Sequence, residues 1–264
     1  MKKNRFVGTY YKHQTKDGFT ITLIVSKSNE GEMMQIITNE RSYIVEDTSS
    51  INASFKGIEF NVDQYDLKLE GFIVYGPLGK PKKDIMSIYR HLPMECKHTI
   101  YSMHHRLHGK ITLNGKEIVF IEGVGYIEGD EGKNFPSKYL WFNAVDSKTS
   151  ITAMVADVRV GLMKIMGSTC LIKHRGKEYR FGTYNFAKVD VILGKFVVIS
   201  KGKYKLSIEI EEEGDSQNLR APIAGNMTRI IKESVSVKAR YILTEKNKVI
   251  MDISHPYASF ESTY

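Results

Sequence analysis

Polar and apolar residues alternate with a period of two along most of this chain. The clearest case runs from Lys201 to Glu211, where lysine, serine and glutamate occupy every second position and Tyr204, Leu206 and Ile208 lie between them. A period of two places successive side chains on opposite faces of a β-strand, so one face is buried and the other meets water. No segment shows a sustained helical pattern with caps at both ends, which argues against a parallel sheet. The alternation predicts an all-β protein of antiparallel strands.

Strand-like runs recur along the whole chain of 264 residues, separated by turns rich in glycine, asparagine and aspartate. The segment 113–116, with its Asn-Gly pair, is typical of a tight hairpin turn. A chain with this many strands must protect its sheet edges, and closing the sheet is the usual way to do so. We therefore expect either one large closed barrel or two barrel-like units packed together.

The positive charge of the chain is spread evenly. The net charge is +8; residues 1–115 carry 16 Lys and Arg against 12 Asp and Glu, and residues 116–264 carry 22 against 18. Each part therefore contributes +4. Proteins dedicated to nucleic acid usually concentrate their charge in a stripe or an arm, so we expect no nucleic-acid partner.

Two further features indicate a cytoplasmic protein. The only cysteines, Cys96 and Cys170, form no CxxC motif, which favours a reducing compartment. No apolar run approaches the ~18 residues of a membrane-spanning helix, and the N-terminus lacks the apolar core of a signal peptide.

Five of the eight histidines lie between residues 91 and 108. If this run is a strand, Cys96, His98 and Ser102 share one face, and Tyr101 and His105 share the other. Same-face neighbours are then about 6.6 Å apart, too far for two of them to bind one metal ion without a bulge. Three interpretations stay open: a metal site, hydrogen-bonded histidines on a sheet, and a polar strip that faces a cavity. No HExxH motif or second cysteine cluster supports a metal, so we expect none.

A second candidate site contains three polar residues at alternate positions, Tyr126, Glu128 and Asp130. On one strand their side chains point the same way. Two carboxyl groups this close raise one another's pKa, and burial raises it further, which gives a carboxylic acid able to donate a proton near neutral pH. The alternative is that the two acids face water and pair with Lys133 or Lys138.

Aromatic residues follow these acids closely: Phe135, Tyr139, Trp141 and Phe142, with Trp141 the only tryptophan of the chain. An acid beside aromatic faces suits protonation of an alkene, because the π faces stabilise a transient carbocation. The same residues suit an ordinary hydrophobic core equally well.

These residues resemble the tocopherol cyclase-like family, in its bacterial branch. The matching segments extend over nearly the whole chain, and the block 125–141 is the most specific of them. They are YYKHQ (10–14), QIIT (35–38), PMECKH (93–98), SMHHRLHG (102–109), GYIEGD (125–130), FPSKYLW (135–141), KEYRFGTY (177–184) and LRAP (219–222).

The resemblance implies two lipocalin-like antiparallel β-barrel halves packed together, which we place at residues 1–115 and 116–264. It also implies chemistry on isoprenoids. Tocopherol cyclases protonate a prenyl double bond of a hydroquinol, and the phenolic oxygen then closes a ring. Related carotenoid hydratases protonate a similar bond and let water attack.

Carried over position by position, the resemblance makes Glu128 the acid and Tyr126 its partner, while His98 and His105 match histidines of the preceding strand. Asp130 is expected to support them. The expected substrate contacts are Phe135, Tyr139, Trp141, Tyr101 and Ser102. In one departure, this chain has Glu131 where the family usually has tryptophan.

We therefore predict a cofactor-free cyclase, of the intramolecular lyase or isomerase class, or a hydratase that acts on an isoprenoid or prenylquinol. The alternative is a non-catalytic lipocalin-like carrier of an isoprenoid or lipid. Peripheral contact with an anionic membrane is compatible with either, since such ligands reside in bilayers.

Overall fold

A computed structural model describes residues 4–160 and 163–263. Every regular element within these ranges is a β-strand or a short 3-10 helix, which confirms the predicted all-β class. The 3-10 helices are Thr48–Ser50, Ser87–His91 and Thr183–Asn185. None of the helices in the described ranges is long and apolar enough to cross a membrane.

The first half of the chain forms a ten-stranded antiparallel sheet. Its order is β4-β3-β2-β1-β10-β8-β7-β6-β5, with β9 paired to β8. The strands are β1 (Phe6–Gln14), β2 (Thr20–Ser28), β3 (Gly31–Thr38), β4 (Ser42–Val45), β5 (Ile51–Ser54), β6 (Gly57–Gln64), β7 (Leu67–Tyr75), β8 (Cys96–Leu113), β9 (Lys116–Val119) and β10 (Gly123–Gly132).

The second half forms another ten-stranded antiparallel sheet. Its order is β14-β13-β12-β11-β20-β19-β17-β16-β15, with β18 paired to β19. The strands are β11 (Tyr139–Val145), β12 (Thr149–Val160), β13 (Met163–His174), β14 (Lys177–Gly182), β15 (Lys188–Leu193), β16 (Phe196–Lys201), β17 (Tyr204–Glu212), β18 (Gln217–Ile223), β19 (Asn226–Glu245) and β20 (Lys248–Ser262).

The two sheets repeat one topology. When ten is added to each strand number of the first order, the second order results, except that β19 stands where β18 would be expected. The reason is that the short extra strand comes directly after β8 in the first sheet, as β9, and directly before β19 in the second, as β18. The division between the sheets lies between Gly132 and Tyr139. The predicted division after residue 115 falls instead between β8 and β9, inside the first sheet, because the hairpin at Asn114 returns the chain to pair with β8.

Each sheet curls until the strand beside one edge contacts the edge strand at the other end of the order. In the first sheet, Gln64 Nε2 of β6 donates to Ile44 O of the edge strand β4 at 3.0 Å. In the second, Lys201 Nζ of β16 donates to Arg180 O of the edge strand β14, also at 3.0 Å. Among the described residues these contacts are made by side chains rather than by a backbone ladder, so neither sheet is a closed barrel. Each half encloses a hydrophobic core of its own.

The outer faces of the two rolled sheets pack against each other. In β1, Tyr11 belongs to the core of the first sheet, whereas its neighbour Tyr10 points toward the second sheet. In β11, Phe142 belongs to the core of the second sheet, whereas Trp141 points toward the first. The rings of Tyr10 and Trp141 meet edge to face, with their centroids 5.5 Å apart. The period of two thus supplies both a core within each half and an interface between the halves.

Glycine is required where neighbouring strands of the rolled first sheet come unusually close. Gly109 of β8 has a φ of +137°, and a methyl group there would overlap the carbonyl oxygen of Phe72 in β7. Replacing Gly109 by alanine is expected to destabilise the protein by about 2–3 kcal/mol, because both backbone strain and overlap oppose the side chain.

Gly31 provides a matched control for this substitution. Its φ is +111°, but nothing lies within 4 Å of the position that a methyl group would take. Gly31→Ala should therefore cost only the backbone strain, about 1 kcal/mol. Urea denaturation of both variants measures the difference. Equal losses would show that close strand approach is not the reason for glycine at residue 109.

Candidate active site between the two sheets

A cavity of about 130 Å³ lies between the outer faces of the two sheets. Most of the wall is apolar, with contributions from Met86, Tyr89, Met94, Phe135, Met154 and Val158.

The first-sheet wall carries a row of polar side chains because β10 alternates. Tyr126, Glu128 and Asp130 share its outer face. Strand β1 pairs beside it, with Tyr10 opposite Glu128 and Lys12 opposite Tyr126. All five side chains therefore project toward the second sheet, which removes them from water.

A hydrogen-bonded network connects these residues to the neighbouring strand β8. The Tyr126 hydroxyl donates to Glu128 Oε2 at 2.5 Å. His98 Nε2 lies 3.3 Å from the same oxygen, and His98 Nδ1 lies 3.0 Å from Asp130 Oδ1. The Cys96 thiol also donates to Asp130 Oδ1, at 3.5 Å. One imidazole ring thus connects two carboxylates.

This network holds a proton on His98 at neutral pH. Burial alone would lower the pKa of His98, but the charges of Glu128 and Asp130 and the hydrogen bonds to both outweigh burial and bring the pKa well above its ordinary value. Burial and the charge of Glu128 raise the pKa of Tyr126, so its hydroxyl also keeps its proton.

The second-sheet wall repeats the same pairing with different residues. Trp141 of β11 lies directly opposite Glu261 of β20, as Tyr10 lies opposite Glu128 in the first sheet. Glu261 in turn lies opposite Glu233 of β19. Two buried glutamates therefore stand side by side on this wall.

Glu233 belongs to a smaller polar group with two residues of β1. The Tyr10 hydroxyl donates to Glu233 Oε1 at 2.5 Å. Lys12 Nζ is fully buried and donates to Asn143 Oδ1 at 3.3 Å. Burial lowers the pKa of Lys12 to about 7, although the charges of Glu233 and Glu128 oppose this. Burial likewise raises the pKa of Glu233 to about 7, although Tyr10 and Lys12 oppose it.

Of the residues predicted from the sequence, the structure gathers seven around the cavity. Glu128, Asp130, His98, Trp141, Tyr139 and Phe135 line it, and Tyr126 bonds to Glu128 from behind. The sequence arguments missed Glu233 and Glu261. No local signal marks them, since Glu233 stands between Lys232 and Ser234 and Glu261 between Phe260 and Ser262. Their partners Tyr10 and Trp141 lie more than 100 residues away in the chain.

Three other predicted site residues lie away from this network. His105 Nδ1 bonds to Ser102 Oγ at 2.9 Å, and the His105 ring packs on Tyr75 at 4.6 Å. Tyr101 packs on Phe55 at 4.9 Å. Register shifts in the pairing of β8 with β10, between residues 125 and 128, interrupt the alternation that the sequence predicted for β8.

Glu131, the departure from the family pattern, also lies apart from the network. It follows Asp130, so its side chain points to the other side of β10. Its carboxylate is half-exposed and 4.0 Å from Arg90 Nη1. Within residues 4–160 and 163–263, no ion pair joins Glu131 to His98, Glu128 or Asp130.

His98, Glu128 and Asp130 offer ligand atoms that lie within 4.8 Å of one another, a set that could hold a metal ion. The two nitrogens of the His98 ring, however, contact different carboxylates. A single ion binds only one ring nitrogen and would break one of these contacts. The geometry fits a proton relay better.

Comparisons with known proteins agree with this architecture. The family model described as tocopherol cyclase-like matches residues 3–262. No curated protein matches the sequence. Kievitone hydratase from Nectria haematococca aligns with a TM-score of 0.55 at 9% identity, covering 99% of this chain and 89% of that one.

Two further solved structures share the fold. CghA with Sch210972 aligns with a TM-score of 0.62 at 8% identity, covering 98% of this chain and 88% of that one. A putative AttH from Nitrosomonas europaea aligns with a TM-score of 0.51 at 10% identity, covering 98% of this chain and 92% of that one. These alignments confirm the prediction of two lipocalin-like antiparallel halves.

The charge on His98 leads to a prediction for Asp130→Asn. This variant removes one of the two negative charges beside the ring, so the pKa of His98 should fall. NMR titration of the imidazole nitrogens measures the change. His105 is the internal control, because burial lowers its pKa to about 3 and it does not contact Asp130 among its described hydrogen bonds. An unchanged pKa for His98 would refute the assigned charge.

Proposed function

We propose a function from the premise that this chain belongs to the tocopherol cyclase-like family: it is an enzyme that adds a proton to a carbon–carbon double bond of an isoprenoid-type substrate. An oxygen atom then bonds to the resulting carbocation. If the oxygen belongs to the substrate, the product is a ring; if it belongs to water, the product is an alcohol.

The observation that carries this proposal is a buried proton relay at the wall of an apolar cavity. Glu128 lines the cavity, accepts a hydrogen bond from Tyr126, and lies 3.3 Å from a ring nitrogen of His98. A proton shared between His98 and Glu128 can therefore reach a substrate carbon without passing through bulk water. Proton transfer from a positioned side chain typically accelerates a reaction by 10²–10⁴-fold.

Each proton in the proposed reaction has a source and a destination. The proton of the His98–Glu128 pair leaves the Glu128 oxygen, a C–H bond forms at the alkene, and a carbocation remains. The nucleophilic oxygen forms the C–O bond and releases its own proton, which returns to the Glu128–His98 pair. Asp130 holds the opposite side of the His98 ring throughout. The protein ends the cycle in its starting state, so the residues need no further reactant.

The cavity wall also suits the cationic intermediate. After donating its proton, Glu128 is a carboxylate beside the positive carbon. The rings of Tyr10, on the first-sheet wall, and Trp141, on the second-sheet wall, meet between the sheets and line the cavity, where their π faces attract a cation. Apolar residues around them keep out water that would otherwise compete with the substrate's oxygen.

We retain a cytoplasmic location and peripheral membrane contact as parts of this proposal. An isoprenoid ligand is poorly soluble in water, and the net charge of +8 favours an anionic lipid surface from which it can be taken. No nucleic-acid partner is proposed.

Glu128→Gln tests the assigned acid. The amide keeps the shape of the side chain but cannot deliver a proton, so product formation should fall by about 10²–10⁴-fold. The assay incubates the protein in D₂O with a panel of prenylated hydroquinols, and mass spectrometry detects a product with one new C–D bond. If the product has the formula of the substrate apart from the deuterium, a ring has closed. If its mass shows one added water, the double bond has been hydrated.

Glu131→Gln is the matched control, because it makes the same change three residues along the chain at a side chain outside the relay. It should keep the activity of the unmodified protein. Full activity in Glu128→Gln would contradict the assignment of the acid. Absence of any product, together with an isoprenoid that can be extracted unchanged from the cavity, would favour the carrier.

A further inference from the structure

Two polar atoms on the second-sheet wall lack hydrogen-bond partners in the part of the chain that the structure describes. They are Glu261 Oε1 and Trp141 Nε1. Glu261 is 8% exposed and Trp141 is 5% exposed, and both side chains line the cavity. Buried polar atoms are almost always paired. Their missing partners are therefore expected in the molecule that fills the cavity.

The two atoms belong to neighbouring side chains. Trp141 and Glu261 are direct partners in the ladder between β11 and β20. Directly opposed residues on one face of an antiparallel pair have Cβ atoms about 4.5–5.5 Å apart. The hydroxyl of Tyr139, two residues before Trp141 on the same face, is also unpaired within the described residues. The unpaired groups thus form one patch rather than scattered exceptions.

Acidic groups surround Glu261. Glu233 lies directly opposite it in the ladder with β19. Glu128 and Asp130 of β10 act on it from the first sheet, where their charges add to burial in raising the pKa of Glu261 well above its ordinary value. Burial is the larger cause. A carboxyl group in such surroundings keeps its proton unless a cation offsets the charge.

The nearby cations are already engaged. His98 contacts both Glu128 and Asp130, and Lys12 bonds to Asn143. Arg159 and Arg220, which also line the cavity, are exposed. None of the ion pairs found among the described residues includes Glu261. Glu261 is therefore a neutral carboxylic acid with an O–H group to donate.

We propose that Glu261 and Trp141 form a two-donor subsite that binds a carbonyl oxygen of an otherwise apolar ligand. The carboxyl O–H and the indole N–H complement an acceptor oxygen, as paired donors do in oxyanion holes. A neutral carboxylic acid held as a hydrogen-bond donor is an established way to bind such an oxygen. The subsite deepens the proposed function and rests on it: the substrate carries a carbonyl group at the second sheet and its reacting double bond at the first.

A binding experiment tests the subsite without requiring turnover. Trp141 is the only tryptophan, so intrinsic fluorescence reports ligand binding at this position. The probes are farnesylacetone, the hydrocarbon with CH₂ in place of its carbonyl, and the corresponding primary amine. The ketone should bind roughly tenfold or more tightly than the hydrocarbon, since it pairs donors that are otherwise left unsatisfied.

Variants then separate the two donors. Glu261→Ala should abolish the preference for the ketone, whereas Glu261→Gln should keep most of it because the amide still donates. Trp141→Phe keeps an aromatic ring but removes the N–H and also the fluorescence signal. Binding to this variant is therefore measured by calorimetry, which should show a reduced preference for the ketone over the hydrocarbon. Circular dichroism confirms that each variant is folded.

Equal affinity for ketone and hydrocarbon, including no binding of either, would overturn the proposal. Tightest binding of the amine would also overturn it, because that result requires an ionised Glu261. Ketone preference without turnover of any substrate would refute only the proposed reaction. Turnover without ketone preference would refute only the subsite.

Discussion

The contact of His98 with Glu128 and Asp130 is the interaction on which the chemistry of this protein depends. A buried imidazolium between two carboxylates is stable only because each charge has a partner of the opposite sign at hydrogen-bond distance. This arrangement uses His98 as the cation that bonds to the acids of the first sheet. The glutamates of the second sheet share the same buried space without it, and burial therefore favours their neutral forms.

The fold makes this division possible by repeating itself. In each sheet the first and last strands pair at the middle of the strand order, β1 with β10 and β11 with β20. Their outer faces meet between the halves, and each presents an aromatic residue opposite a glutamate. The equivalent positions nevertheless differ in chemistry, because Glu128 has hydrogen-bond partners and one oxygen of Glu261 has none among the described residues. One wall can move a proton, and the other can bind an oxygen.

The position of the cavity between the halves also explains how residues of both sheets come to line it. The interior of each rolled sheet is filled by its own hydrophobic core, so the ligand space lies where two packed surfaces leave a gap. The long strand β19 also reaches the first sheet, where its Ile231 and Val235 pack against Ile37 of β3. The site is consequently rigid, since its side chains project from central strands rather than from loops.

The sequence determined the period of two, and with it the all-β class, because alternation is a local property of neighbouring residues. It also indicated Tyr126, Glu128 and Asp130, which share a strand and so need no knowledge of the fold. It placed Phe135, Tyr139 and Trp141 near them for the same reason, through short separation along the chain.

Only the tertiary structure decided which residues of β8 accompany His98, since a register shift against β10 breaks the alternation. Ser102, expected on the face of His98, bonds to His105 instead. Only the tertiary structure brought Glu233 and Glu261 to the cavity. Their position follows from strand pairing across long separations and from the packing of two sheets, and neither is encoded in the pattern of adjacent residues. Burial then set their protonation, which no local pattern contains.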